Sequence, residues 1–290
     1  MTNKERFKKN VRGFEFEPHS FCNRKCWFCP NSFIDRTGPV EFMDQAMFIQ
    51  VLSDLASIDY SEFVSFVGWC EPFSQPSFLD RISEASDSLP NAFLATNSNT
   101  DYLTTEVVSQ AADNGLHLIR AQLYFDKDEE YTPDAISQKF MLLKAKLPGI
   151  EFVEKVGQWY ALVNGKMLIH VQAKNFKEMG INRCDVPTTK VKKRYHTCYE
   201  GVQYFGINYN GKAIPCCHIR SDYPPHETSL LGQVDSEPGK IFDLYQGVIL
   251  PESQYPCMGC AHPQSHANVK IVYTEILKEM QRCQTLQQQL

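Results

Sequence analysis

Residues 21–31 read FCNRKCWFCPN, and the three cysteines in this stretch, Cys22, Cys26 and Cys29, decide how the rest of the chain is read. Eleven cysteines stand in 290 residues, at 22, 26, 29, 70, 184, 198, 216, 217, 257, 260 and 283. The N-terminal MTNKERFKKNVRGFEFE is basic and polar, without the apolar core of a signal peptide, and no segment offers about 18 uninterrupted apolar residues. A cytoplasmic protein is expected, and clustered cysteines there bind metal more often than they cross-link. The spacing C-x3-C-x2-C provides three soft ligands and withholds a fourth. Zinc usually takes four ligands, and a ferredoxin run has a fourth cysteine close by, whereas here the next is Cys70. Three thiolates suit three corners of an iron-sulfur cubane whose fourth iron stays open to a substrate or cofactor. Purely structural thiols fit poorly, because the charged Arg24 and Lys25 sit inside the loop.

The surrounding sequence describes an ordinary globule with 43% apolar residues, 22% charged residues and a net charge of -5, which disfavours nucleic acid as a partner. From residue 13 to 180, short apolar runs alternate with helical periodicity. Strands are expected at 13–18, 63–67, 92–96, 116–124 and 167–173, with helices at 44–58, 78–88 and 104–114, the last capped by Thr104 or Thr105 and ending at Gly115. Strands alternating with helices imply an α/β fold with a parallel sheet, open or closed, whose functional residues gather at the carboxyl ends of the strands. Residues 185–265 lose this pattern. There VQYFGINYNGKAIPCC places Asn210-Gly211 between alternating runs, a hairpin signal, and PGKIFDLYQG suggests a short helix. The tail, 269–290, spaces Ile271, Ile276, Leu277 and Met280 as an amphipathic helix.

The first loop resembles the signature of radical S-adenosylmethionine (SAM) enzymes, C-x3-C-x-aromatic-C, matched by Cys22, Cys26, Phe28 and Cys29. The resemblance implies a partial (β/α)6 barrel and a 4Fe-4S cluster on these three cysteines. It also implies that the amine and carboxylate of SAM chelate the open iron, and that reductive cleavage yields a 5'-deoxyadenosyl radical that abstracts hydrogen from substrate. An electron donor such as flavodoxin or ferredoxin is implied as a partner. GWCEPFSQP, from Gly68 to Pro76, resembles the family's GGEP segment, with Trp69 and Cys70 in place of the second glycine. Glu71 is the expected contact for the SAM amine. TNSN at 96–99 resembles the family's turn near the SAM ribose, which nominates Asn97 and Ser98, and Gln122 and Tyr124 on RAQLYF point weakly toward the same rim.

A second set, Cys198, Cys216, Cys257 and Cys260, has the pattern C-x17-C-x40-C-x2-C, and spacing alone leaves zinc and a second iron-sulfur cluster nearly even. The layout resembles the Twitch module, the shorter relative of the SPASM domain, which implies one auxiliary 4Fe-4S cluster. The expected division is a barrel at 1–184, the cluster module at 185–267 and a helix at 268–290. Cys217 is expected to point away from Cys216 if the segment is extended, as a spare thiol that replaces or neighbours it, Cys283 to be incidental, His170 to face substrate, and His218, His262 and His266 to face solvent.

Loop and module together look similar to 2-deoxy-scyllo-inosamine dehydrogenase and the neomycin epimerase. This similarity implies a small polar substrate, sugar or aminocyclitol-like, that is dehydrogenated or epimerised. Arg183 is then a candidate proton or hydroxyl partner, and Cys184 a candidate thiol that returns hydrogen to a substrate radical. Radical modification of a ribosomal peptide is the alternative, weighed down by the short stretch before the first strand. A non-catalytic zinc-binding interaction module is the reading from another class, and the unmatched fourth corner of the first loop speaks against it.

Overall fold

The computed structural model of the chain describes residues 1–178, 197–249, 257 and 268–288. Helix α1 (Asn3–Asn10), closed by a Thr2–Glu5 capping box, enters β1 (Gly13–Phe16). Helix α2 (Gln45–Ala56) then leads to β2 (Phe63–Phe66), α3 (Phe78–Ser88) to β3 (Phe93–Ser98), and α4 (Thr105–Asp113) to β4 (Leu118–Leu123). Helix α5 (Pro133–Lys146) and the antiparallel pair β5 (Val153–Lys155) and β6 (Gln158–Val163) precede β7 (Met167–Ala173). The C-terminal part adds α6 (Glu200–Gln203), β8 (Tyr204–Ile207), β9 (Lys212–Ile214), β10 (Gly232–Gln233), α7 (Lys240–Leu244) and α8 (Val269–Gln288).

The five strands expected from periodicity form, and they lie in one sheet of order β10-β9-β8-β1-β2-β3-β4-β7-β6-β5. The six strands from β8 to β7 run parallel, so the fold is α/β with a parallel core. The Asn210-Gly211 turn joins β8 to β9 as expected, with Gly211 in the left-handed region at φ +78°. Helix α5, absent from the expected set, starts on Thr132, whose side chain accepts from the Ala135 amide, with Pro133 in its first turn.

Side chains alternate between two cores, because successive strand residues point to opposite faces. Phe14, Phe16, Val64, Phe66, Leu94, Ile119 and Ile169 pack with the helices α1 to α5. Phe63, Phe93, Ala95, Leu118 and Leu168 face the other side, where Leu277 and Met280 of α8 cover them. His170 also faces that side; rather than reaching free into it, the ring stacks on Tyr160 at 4.6 Å and bonds through Nδ1 to the Tyr273 hydroxyl at 2.9 Å. Phe7 fastens the C-terminal strands to the barrel: with no exposed surface, its ring lies 5.3–6.4 Å from those of Phe14, Tyr60, Phe205, Phe242 and Tyr245. Phe7→Ala should therefore lower unfolding free energy by about 3–5 kcal/mol, read as a shifted denaturant midpoint. An unchanged midpoint would show that the aromatic cluster does not carry this junction.

Candidate active site

The carboxyl ends of β1, β2 and β3 release three loops side by side. The first carries the cysteines. Its turns are fixed locally, by Cys29 N–H donating to the Cys26 carbonyl and Cys22 N–H to the Arg36 carbonyl, each at 2.9 Å. Its two aromatic residues anchor it from within. Trp27 donates through Nε1 to the Phe125 carbonyl at 2.9 Å, and Phe28, nearly fully buried, stacks face to face on Phe176 at 3.7 Å. On one flank Asn23 and Arg24 bond to Asp101, beyond β3.

The second loop follows β2. Gly68 has φ +98°, and a Cβ there would lie 2.8–2.9 Å from the side chain of Glu17, so only glycine fits this approach. Glu71 is buried and accepts from Ser98 Oγ at 2.8 Å and from the Asn99 amide at 2.6 Å. Ser98, nominated beside Asn97, is thus engaged in holding Glu71.

These loops enclose a cavity of about 110 Å³ lined by Cys22, Cys26, Cys29, Phe28, Gly68, Glu71, Asn97 and Ser98. All three thiols of the first loop meet there with the residues nominated from β2 and β3. Gln122 lines a neighbouring cavity of about 630 Å³, which shares Arg24, Cys26 and Tyr124 with the first. Two observations fit a metal and a polar ligand to this place. Burial pushes the Cys22 thiol up to about 11, so a neighbouring cation is needed for it to ionise and ligate near neutral pH. Asn97 Oδ1 is buried without a hydrogen-bond partner, an acceptor facing a site that would satisfy it.

Of the second set, Cys216 alone belongs, among the described residues, to a group that could hold a metal. Cys216 is buried, and its sulfur lies within 4.8 Å of Cys217 and the buried Glu200 carboxylate, a possible metal-holding group. The segment is not extended here: the pair follows β9 in a turn, where neighbouring side chains need not alternate, so Cys217 neighbours Cys216. Burial and the bond to Cys217 raise the Cys216 thiol well above its ordinary range, the Cys217 bond foremost. His218 is half-buried rather than solvent-facing, and its amide donates to Cys216 Sγ at 3.4 Å. Cys198 and Cys257 are half-buried. Arg183, Cys184, Cys260, His262 and His266 lie outside the described residues, as does the side chain of Cys283.

Sequence pattern missed the polar residues that brace these loops: Glu17, Asn31, Arg36, Arg220 and Asp222. None of their side chains is called for by the cysteine spacing or by another motif. For the strand-end Glu17, the available signal was a carboxylate within a run of apolar β1 residues.

Burial pushes the Glu71 carboxyl up to about 7 from an ordinary 4.5, despite its two donors. The folded metal-free protein then holds a proton that the unfolded chain has released, so rising pH weakens the fold between about 4.5 and 7. Glu71→Gln should flatten this part of the stability curve. Urea titrations at about pH 5 and pH 7 measure it; equal slopes in both proteins would remove Glu71 as the cause.

Residues 16–141 match the profile of the Radical SAM superfamily. The chain is 30% identical over 102 residues to the S-adenosyl-L-methionine-dependent 2-deoxy-scyllo-inosamine dehydrogenase of Niallia circulans, a match covering 35% of this chain and 40% of that relative. It is similar in fold to the crystal structure of BtrN in complex with AdoMet and 2-DOIA, with TM-score 0.57, 17% identity, and coverage of 81% of this chain and 82% of that one. An OPEN conformation of BtrN gives TM-score 0.52 at 18% identity, covering 81% and 80%. At these identities the structures speak for the fold. Among the described residues no helix is long and apolar enough to cross a membrane. Residues 16–141, which carry the three-cysteine loop at the end of β1, are thus similar to the Radical SAM superfamily, a family that implies a 4Fe-4S cluster and SAM.

Proposed function

We propose that the chain is a radical SAM enzyme that takes hydrogen from a small polar substrate, sugar or aminocyclitol-like, and so dehydrogenates or epimerises it. The observation that carries this reading is the single cavity in which Cys22, Cys26 and Cys29 meet Glu71 and Asn97. The dehydrogenase activity of the Niallia circulans relative and the ligands of the BtrN structure supply the substrate class.

In this reading Cys22, Cys26 and Cys29 hold the first cluster. When bound, the cluster and SAM together supply the hydrogen-abstracting radical. The chain's part is to position and to shield. With SAM bound, the main chain at Gly68 would come close because no Cβ intervenes, Glu71, held by Ser98 and Asn99, would accept from the amine, and Asn97 would offer its buried oxygen to a hydroxyl. Phe28, locked against Phe176, keeps water from the cysteine loop. Gln122 reaches the rim from the adjoining cavity. We further assign an auxiliary 4Fe-4S cluster to Cys198, Cys216, Cys257 and Cys260, in a module spanning 185–267 between the barrel (1–184) and the terminal helix (268–290). Arg183 and Cys184, at the join, are assigned as proton partner and thiol donor. Thiolate ligands suit the reducing cytoplasm, where a flavodoxin or ferredoxin would deliver the electron.

The test is anaerobic reconstitution with iron, sulfide, SAM and a reductant, followed by incubation with amino sugars and aminocyclitols. 5'-Deoxyadenosine should form together with loss of two hydrogen atoms from substrate or uptake of solvent deuterium at one carbon. In the epimerising case Cys184→Ala should stop deuterium uptake. Protein that carries zinc but no iron or labile sulfide would overturn the reading.

A further inference from the structure

Six side chains from segments far apart in sequence form one buried network beside the cysteine loop. Arg220, with no exposed surface, donates from Nε and Nη2 to the two oxygens of Asp222, each at 2.7 Å, and from Nη1 to Asn31 Oδ1 at 2.7 Å. Its guanidinium also lies 5.5 Å from the Trp69 ring. Asn31, two residues beyond Cys29, donates in turn to the Trp69 carbonyl at 2.9 Å. Asp222 accepts from Arg36 Nε at 2.9 Å, and Arg36 Nη1 donates to Glu17 Oε1 at 2.6 Å. Glu17 Oε1 accepts from the Trp69 amide at 2.7 Å, and the indole Nε1 donates to the Ile219 carbonyl at 3.3 Å. Two carboxylates and two guanidiniums leave the network neutral.

The topology gives this network a direction. Asn31 and Arg36 flank the cysteine loop on its C-terminal side, and the Arg36 carbonyl receives the Cys22 amide. Trp69 lies between Gly68 and Glu71 on the loop after β2. Arg220 and Asp222 come from the segment that follows Cys216 and Cys217. A guanidinium is planar and forked, so it can hold a carboxylate bidentately with one edge while its other edge reaches an amide oxygen, a span that the single nitrogen of a lysine does not reproduce.

We propose that Arg220 and Asp222, from the C-terminal module, are positioning residues for the SAM site: through Asn31, Arg36 and Trp69 they set the cysteine loop and the Gly68–Glu71 loop against each other. The inference rests on the functional reading given above. It makes the C-terminal module part of the first site, in addition to any cluster of its own. Side chains bonded to a metal's ligands typically change metal affinity or activity by roughly 10- to 100-fold when replaced. Arg220 stands directly behind one of them, since it holds Asn31, whose side chain bonds the Cys22 thiol.

The full-length chain, reconstituted anaerobically, tests this without reference to turnover. The readout is the SAM concentration that half-saturates the change in the electron paramagnetic resonance signal of the reduced cluster, with iron and sulfide content measured alongside. Arg220→Gln should raise that concentration by roughly 10- to 100-fold. Arg220→Lys should restore the thermal midpoint but not SAM affinity, because the charge opposite Asp222 returns and the bridge to Asn31 does not. Should Arg220→Gln fail to fold, Asn31→Asp keeps an acceptor for Arg220 but removes the amide that donates to the Trp69 carbonyl and bonds the Cys22 thiol, and it adds a negative charge; it should weaken SAM by at least as much. Wild-type half-saturation in the folded variants overturns the positioning role and leaves the function intact. A wild-type protein with no SAM-responsive signal overturns both.

Discussion

A carboxylate removed from water must be met by donors and by opposite charge, or it does not remain a carboxylate. Glu17, with no exposed surface at the end of β1, meets both conditions through the Arg36 guanidinium and the Trp69 amide. The arrangement of the site follows from that. Arg36 fixes the return of the cysteine loop, since its own carbonyl takes the Cys22 amide. The Trp69 amide fixes the start of the next loop, and Gly68 is pressed so near the Glu17 side chain that a Cβ would collide. One buried acid therefore sets the separation of the two loops that line the cavity.

The variant segment GWCEP becomes intelligible from the same joint. The residue in the second glycine's place carries an indole, which would fill the cavity if it turned inward. Instead Trp69 is buried beneath the Arg220 guanidinium with its Nε1 on the Ile219 carbonyl, so the module that supplies Arg220 also supplies the room. Glu71 keeps its place because its amide donates to the Phe21 carbonyl while Ser98 and Asn99 hold its carboxyl.

Features written in neighbouring residues were legible from sequence. Strand periodicity gave β1, β2, β3, β4 and β7, spacing gave the cysteine loop, and Asn210-Gly211 gave the hairpin. Helix α5 was passed over although Thr132 and Pro133 announce its start, because its apolar residues do not keep to one face: Met141 and Leu142 are exposed, at 58% and 70%. The β5–β6 turn was hidden for a different reason. Val156, a β-branched residue, occupies a left-handed conformation at φ 51°, where the usual turn signals call for glycine or asparagine. The brace of Glu17, Arg36, Arg220 and Asp222 had no local signature, since Arg36 and Asp222 are 186 residues apart and only the β1–β8 pairing brings their segments together.

That pairing has a further consequence for how the two cysteine sets relate. Phe205 and Ile207 of β8 face the helices, so Tyr204 and Gly206 face the opposite side, where Tyr204 packs with Ile214, Cys216 and Ile219. On β2 and β3 that same side carries Phe63, Ala95 and, two residues on, Asn97, which lines the first cavity. The register of β1 against β8 places Glu15 opposite Gly206, one residue from Tyr204's neighbour Phe205, within the strand that ends at the first site. Cys216 consequently lies on the same face of the sheet as Asn97, with β8, β1 and β2 standing between β9 and β3. Because β8 runs parallel to β1, its end, just before Asn208, lies beside the end of β1, and β9 runs back from there. The turn after Cys216 returns the chain, so that the Ser221 amide donates to Asn208 Oδ1 at 3.0 Å and Arg220 and Asp222 reach the loop after β1.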